Sequence, residues 1–228
     1  MAAGGGDDPL GRFKAEKSVF SFCCGKKGSG KSELAKMLYR TYPYDRLAID
    51  PTHDLTDLGA DVETIDELPG RFPVDDDGER VSLRYTPDIG SPTYNDDLDR
   101  AVGLALYHPN RRCFLLADEI ADLTTASKTP PHMRRALAWG RHKNLHLAMC
   151  NPRPKDVNPL VISQADFVYV FRIPHPLDQE RVAACIGWPP GEFAERVQAL
   201  DQYEYLRYDA LNEELTHWPP LPLGRTAA

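Results

Sequence analysis

One passage near the start of the chain constrains its fold more than any other. The apolar run Phe20-Ser21-Phe22-Cys23-Cys24 passes directly into Gly25-Lys26-Lys27-Gly28-Ser29-Gly30-Lys31-Ser32, and this into Glu33-Leu34-Ala35-Lys36-Met37-Leu38-Tyr39. A strand, a glycine-rich turn and a helix follow one another with no spare residues. The spelling G-x-x-x-x-G-K-S lets the backbone curl so that its N–H groups point inward around an anion. Within the binding stretch, Gly25, Lys26, Lys27, Gly28, Ser29 and Gly30 form the cradle, and Lys31 supplies a point charge to β/γ-phosphates. Ser32 offers a hydroxyl to Mg²⁺, and the helix opening across Ser29 to Glu33 turns its positive dipole end toward the same anion. The sequence therefore predicts nucleoside triphosphate binding.

A phosphate loop is shared by kinases, switches and motors, so the reaction class depends on where a second acidic strand lies. Arg112-Cys113-Phe114-Leu115-Leu116-Ala117-Asp118-Glu119 reads as a strand buried on both faces that ends in adjacent carboxylates. In this Walker B form Asp118 joins the Mg²⁺ shell, and Glu119, one residue further, polarises a water for attack. Strands that end in polar residues are common, but paired with the upstream loop the two carboxylates favour hydrolysis of the nucleoside triphosphate over transfer to a bound acceptor.

The 228 residues carry a formal net charge of −7 and five cysteines. That length suits one large α/β domain, with residues 1–17 as a polar leader, 18–200 as the core, 201–218 as a hairpin-like extension and 219–228 as a Pro-rich tail. No apolar run approaches the roughly 20 residues of a spanning helix, and the first residues do not read as a signal peptide. A soluble, cytoplasmic protein is expected. The cysteines lack C-x-x-C spacing and mostly lie in strand-like runs, where they read as small buried apolar residues; no zinc is expected. The acidic balance argues against a chain coated in cations, yet Lys128, Arg134, Arg135, Arg141, His142 and Lys143 crowd into one stretch. Such a run is either a solvated face or a patch gathered by assembly.

Strand and helix patterns alternate along the chain, the signature of a parallel sheet covered on both faces. Strands are expected at 19–24, 46–49, 81–85, 112–117, 145–150 and 167–173. Helices are expected from the loop to about Tyr42, over 94–107, 133–142 and 160–165, and around 179–185 and 191–200. The stretch 54–90 reads as loop apart from its one strand, with Asp75-Asp76-Asp77-Gly78 as a turn. Segments 203–208 and 215–218 are expected to pair as a closing hairpin. Within this frame Leu145 to Cys150 is a buried strand that delivers Asn151 to the edge where the phosphates lie. Asn151 reads either as a sensor amide for the γ-phosphate or lytic water, or as an ordinary Asn-Pro turn.

Gly140-Arg141-His142-Lys143-Asn144-Leu145-His146-Leu147-Ala148, then Asn151-Pro152-Arg153-Pro154, Val161 to Ala165 and Phe167-Val168-Tyr169-Val170-Phe171-Arg172 complete a pattern. With the two motifs above, it resembles the FtsK/HerA superfamily of DNA-translocating ATPases across about residues 18 to 175. The small size resembles the genome-packaging ATPases of membrane-containing icosahedral viruses and phages. Where that family has glutamine before Arg-Pro, this chain has Asn151-Pro152-Arg153-Pro154, so Asn151 takes the sensor role only if the turn absorbs the extra proline. The resemblance implies a RecA/ASCE-like P-loop NTPase, a three-layer α/β sandwich around a mostly parallel sheet, using ATP and Mg²⁺. It further implies a ring, hexameric or pentameric, on double-stranded DNA, with a capsid or membrane-associated vertex protein as a further partner and a virion-associated location if the source is viral. An arginine would act across each subunit boundary, Arg141 first, with Arg172 and Arg135 behind it. Lys128, Arg134 and Arg135 would line the channel.

Two other classes stay open. A small-molecule or nucleotide kinase would share the loop but close an arginine-bearing lid, for which only the scattered Arg181 and Arg196 offer themselves. A regulatory or assembly NTP-binding module would share the core without translocation.

Overall fold

The computed structural model describes residues 18–72, 80–108 and 112–221. The leader, the Asp75–Gly78 turn and all of the tail beyond Leu221 lie outside them. Nine strands form one sheet in the order β3-β4-β2-β5-β6-β1-β7-β8-β9. They are β1 (Phe20–Cys24), β2 (Asp45–Ile49), β3 (Ala60–Val62), β4 (Ser82–Tyr85), β5 (Cys113–Ala117), β6 (Leu145–Asn151), β7 (Phe167–Val170), β8 (Tyr205–Asp209) and β9 (Glu214–Trp218). All pairings from β3 across to β7 are parallel, and the β7–β8 and β8–β9 pairings are antiparallel.

Because side chains alternate along a strand, β1 serves two cores at once. Phe20, Phe22 and Cys24 face one core, while Cys23 faces the other. The second is covered by α1 (Lys31–Thr41), whose Leu34, Ala35 and Leu38 are spaced along one helical face and fully buried. The first is covered by α3 (Tyr94–Leu106), α5 (Pro131–Trp139), α7 (Pro176–Ile186) and α8 (Pro190–Gln198), with the short α6 (Pro159–Ser163) beside them. β1, β5 and β6 are buried at every position, as central parallel strands must be. Truncating a ring such as Phe22 in such a core costs about 3–5 kcal/mol.

Three departures from the sequence reading have local causes. The stretch read as loop contains β3 and the single turn α2 (Leu68–Arg71), both too short for a periodic signal. A further turn, α4 (Ile120–Leu123), follows the paired carboxylates directly. The helix expected at 133–142 begins two residues earlier on Pro131, whose fixed φ suits a first helical position, and becomes a 3-10 turn at Gly140. The hairpin at the end of the chain is continuous with the core: β8 pairs with β7. The outer strand β3 is three residues long and carries the exposed Asp61, which blunts that edge.

Candidate functional site

Parallel strands place all their carboxyl ends on one side of the sheet, and strand order decides which ends are neighbours. Here β6 lies between β1 and β5. Cys24 is in register with Asn151, and Ala117 with Met149, so Asn151 stands between the phosphate loop and the Asp118–Glu119 pair.

The loop is built as its spelling requires. Gly25 has φ +154, and a Cβ there would meet the Phe171 Cβ at 2.5 Å. The Lys26 N–H donates to the Arg172 carbonyl at 3.0 Å, and Ser29 N–H to the Lys26 carbonyl at 3.2 Å. Gly30 is the N-cap of α1 and brings no side chain to it, so the first-turn N–H groups that every helix leaves unpaired face the loop's hollow. The Ser29 hydroxyl is buried with no protein partner, and the Lys31 side chain is buried as well.

Ser32 Oγ donates to Asp118 Oδ2 at 3.3 Å. A hydroxyl and a carboxylate on neighbouring oxygens suit a hard cation that prefers oxygen and retains water, as Mg²⁺ does. Asp118 is 4 % exposed. Burial pushes its carboxyl above the ordinary value, opposed by the charge of Lys31 and by bonds from the Glu119 N–H and Ser32, while Asp50 adds to the rise. Glu119 is half-buried; burial and then the charge of Asp118 push it up as well, with Asp122 and Asp54 contributing. Its backbone is left-handed, φ 48. A non-glycine residue in that region costs of order 1–3 kcal/mol, a strain found mostly where function fixes a side chain's direction.

Asn151 braces this turn. Its Oδ1 accepts from the Ala121 N–H at 3.1 Å, and its Nδ2 donates to the Arg153 carbonyl at 2.9 Å. The extra proline is absorbed in the turn after β6, where Arg153 Nε reaches the fully buried Asp178 at 2.8 Å. Asn151 retains one N–H for a further partner.

Sequence reasoning passed over Asp50 and Asp54. Asp50 ends β2 as Asp118 ends β5, and the Asp118 N–H bonds the Ile49 carbonyl at 3.2 Å. The buried Asp50 carboxylate accepts from the Asp54 and Leu55 N–H groups at 3.0 Å and pairs with Arg84 at 3.1 Å. It thereby folds the following loop toward Glu119. The signal was available: a second apolar strand ending in aspartate.

Arg141 does not join this cluster within its own chain. It precedes β6, at the opposite edge of the sheet, where its guanidinium donates to the Gln164 carbonyl, pairs with Asp166 at 3.0 Å and lies 4.0 Å above the Phe20 ring. Arg172 is exposed directly beside the loop. Lys128, Arg134 and Arg135 are all exposed, Lys128 on a tight turn closed by Thr125 and the two arginines on α5. Cys23 and Cys150 are register partners beneath the loop. The hydrogen bond to Cys23 and burial hold the Cys150 thiol well above its ordinary range, which makes it an inert core group.

Fold, loop and carboxylate pair define a P-loop NTPase architecture. The genome-packaging NTPase B204 from Sulfolobus turreted icosahedral virus 2, in complex with AMPPCP, superimposes with a TM-score of 0.72 at 21% identity, over 90% of this chain and 98% of that one. B204, the DNA-packaging ATPase from Sulfolobus turreted icosahedral virus, matches at TM-score 0.69 and 21% identity, over 91% of this chain and 100% of that one. VirB4 of Thermoanaerobacter pseudethanolicus matches at 0.60 and 13% identity, over 87% and 88%. These likenesses are likenesses of fold. No family model matches the sequence, and no curated protein matches it at sequence level.

Proposed function

We propose that this protein is an ATP-hydrolysing motor that moves double-stranded DNA, in the manner of a viral genome-packaging ATPase. The observation that carries the reading is the position of Asn151 between the loop and Asp118–Glu119. With a nucleotide on the loop, Glu119 and Asn151 would flank the γ-phosphate, and a lytic water held between them requires no acceptor lid. Glu119, its carboxyl pushed up from the ordinary value by burial and the charge of Asp118, would act as the general base that takes the water's proton. Lys31 and the loop N–H groups hold the developing phosphate charge. Mg²⁺ at Ser32 and Asp118 would neutralise the β- and γ-oxygens. The packaging role is supported by the fold shared with B204 over nearly all of both chains.

Coupling to DNA has a short covalent route. Glu119 is the N-cap of α4, and the chain passes from α4 through the Lys128 turn into α5 with Arg134 and Arg135. A change in the Glu119 turn, braced by Asn151, would reach exposed cations along one continuous stretch of chain from Glu119 to Arg135. Trp139, one turn beyond Arg135, is 56 % exposed on the same helix. In a ring of this chain, hexameric or pentameric, these groups face the channel and bind phosphates by counterion release. An arginine from the adjoining subunit completes the site; Arg141 takes that role only by releasing Asp166, whereas Arg172 and Arg135 are exposed. A capsid or vertex protein would anchor the ring, and the assembly would act in the cytoplasm or on the virion. Among the described residues no helix is long and apolar enough to cross a membrane.

The test is steady-state ATP hydrolysis with and without double-stranded DNA, for wild type, Glu119→Gln and the Arg134→Ala/Arg135→Ala double variant. DNA-stimulated turnover that vanishes in the first variant and loses its stimulation in the second is expected. Turnover indifferent to DNA returns the protein to the kinase or switch classes.

A further inference from the structure

The phosphate loop has a second side. Across β1 from the carboxylates lies β7, and beyond its end a cleft of about 430 Å³ opens between loop residues 26–29 and a wall made by Arg172, Asp201, Gln202 and Tyr203. That volume is within the range of small-ligand sites. Ser29, whose hydroxyl is buried without a protein partner, is among its lining residues.

We infer that this cleft receives the nucleoside half of the triphosphate, with the base stacked on the Tyr203 ring. The inference rests on the proposed use of the loop for a nucleotide, and its direction follows from strand order. The γ-phosphate end must face Ser32, Asp118 and Glu119, which lie on the β6–β5 side of β1. A nucleotide laid across the loop therefore leaves it on the β7 side, into this cleft.

Three features show a wall prepared for a flat ligand. Tyr203, one of the residues lining the cleft, has a left-handed backbone, φ 68, an outlier for a bulky residue. Its Cδ1 stands 3.3 Å from where a Cβ on Gly30 would sit, so the ring abuts the loop itself. The segment is braced: Asp201 N–H donates to Glu204 Oε2 at 3.0 Å, Glu204 N–H returns a bond to the Asp201 carbonyl at 3.3 Å, and His217 on β9 lies 3.1 Å from the same carboxylate. The Lys26 to Arg172 backbone bond joins this wall to the loop. Asp201 and Gln202, both exposed, present polar groups to a ribose or a base edge. The closing hairpin thus does more than end the sheet, since β8 and β9 hold the base-recognition segment in place.

Base–aromatic stacking predicts a loss of about 10-fold or more in ATP affinity on removal of the ring. Binding of ATP and of inorganic tripolyphosphate would be measured by calorimetry on wild type, Tyr203→Ala, Tyr203→Phe and Lys31→Ala. Expected are a weakened ATP affinity but unchanged tripolyphosphate affinity in Tyr203→Ala, wild-type behaviour within about twofold in Tyr203→Phe, and loss of both ligands in Lys31→Ala. Tyr203→Ala that weakens both ligands equally, or neither, overturns the nucleoside assignment while leaving the phosphate loop intact; so does Tyr203→Phe that behaves as Tyr203→Ala. Wild type that binds neither ligand overturns the loop reading, and this one with it.

Discussion

Two glycines of one loop separate steric from conformational demands, because both have positive φ but only one is crowded. At Gly28, φ +75, a Cβ would meet nothing within 4 Å. Gly28→Ala therefore pays only the left-handed backbone penalty of about 1–2 kcal/mol, partly offset by the lower entropy of the unfolded chain, for a net of about 1 kcal/mol. At Gly25 the φ of +154 is joined by contacts of 2.5 Å to the Phe171 Cβ and 2.7 Å to the Ser29 Oγ. The Phe171 atom is fixed to its backbone and cannot swing aside. Strain of about 1–3 kcal/mol and overpacking of about 1–3 kcal/mol give a cost near 4 kcal/mol for Gly25→Ala. The gap of about 3 kcal/mol corresponds to about 6–12 °C in Tm for a chain of this size. Thermal melts without nucleotide read it directly, since lost ligand stabilisation then plays no part. Two variants melting within about 2 °C of each other would refute the reasoning, and a Gly28→Ala less stable than Gly25→Ala would reverse it.

Glu119→Gln should retain ATP binding while single-turnover hydrolysis falls by about 10²–10⁴. The same change should stabilise the nucleotide-free protein at neutral pH. A carboxyl raised by folding contributes stability below its ordinary value of 4.5 and loses it as pH rises through the folded value, so the variant's advantage in Tm should shrink as pH is lowered. A pH-independent difference would mean that the carboxylate is not strained electrostatically. Asn151→Ala leaves the Ala121 N–H without its acceptor and should cost about 1–3 kcal/mol in urea unfolding, in addition to any loss of turnover. Arg141→Ala removes a part-exposed ion pair and a ring contact, worth about 1–2 kcal/mol together. A lower Tm with turnover within about threefold is expected, and an unchanged melt with a turnover loss of 10³ or more would instead place Arg141 at a neighbouring subunit's phosphate.

What the sequence made legible was what a local pattern can carry. The phosphate loop, the strand before it and the helix after it sit within a residue or two of their expected bounds, because glycines at fixed spacing and an all-apolar run have few other solutions. Both motifs are read as offering a ligand to Mg²⁺, which predicts that Ser32 and Asp118 lie side by side, and the two side chains meet at 3.3 Å. Strand order is different, since each parallel pairing joins residues far apart in the chain and alternation says nothing about which ends are adjacent. Hence Asp50 went unremarked beside Asp118, although both end apolar strands. Arg141 lies at the other end of β6 from Asn151, so a role at a neighbouring subunit's phosphates is a matter of assembly that no pattern within one chain displays. The segment around Tyr203 carried no motif, since a left-handed tyrosine is visible only in the backbone.

β6 stands between β5, which ends at the two carboxylates, and β1, which feeds the phosphate loop. With β6 between them, the Asp118 carboxylate still reaches Ser32 at 3.3 Å, because Lys31 and Ser32 rise from the loop toward it. Glu119 follows with its left-handed backbone, in a turn tied through Ala121 to Asn151. One topological choice thus sets where Asp118, Glu119 and Asn151 stand relative to the loop. On the other side of β1 lies β7, beyond whose end the cleft beside Tyr203 opens, so the two ends of a nucleotide on the loop would be read by opposite halves of the same sheet.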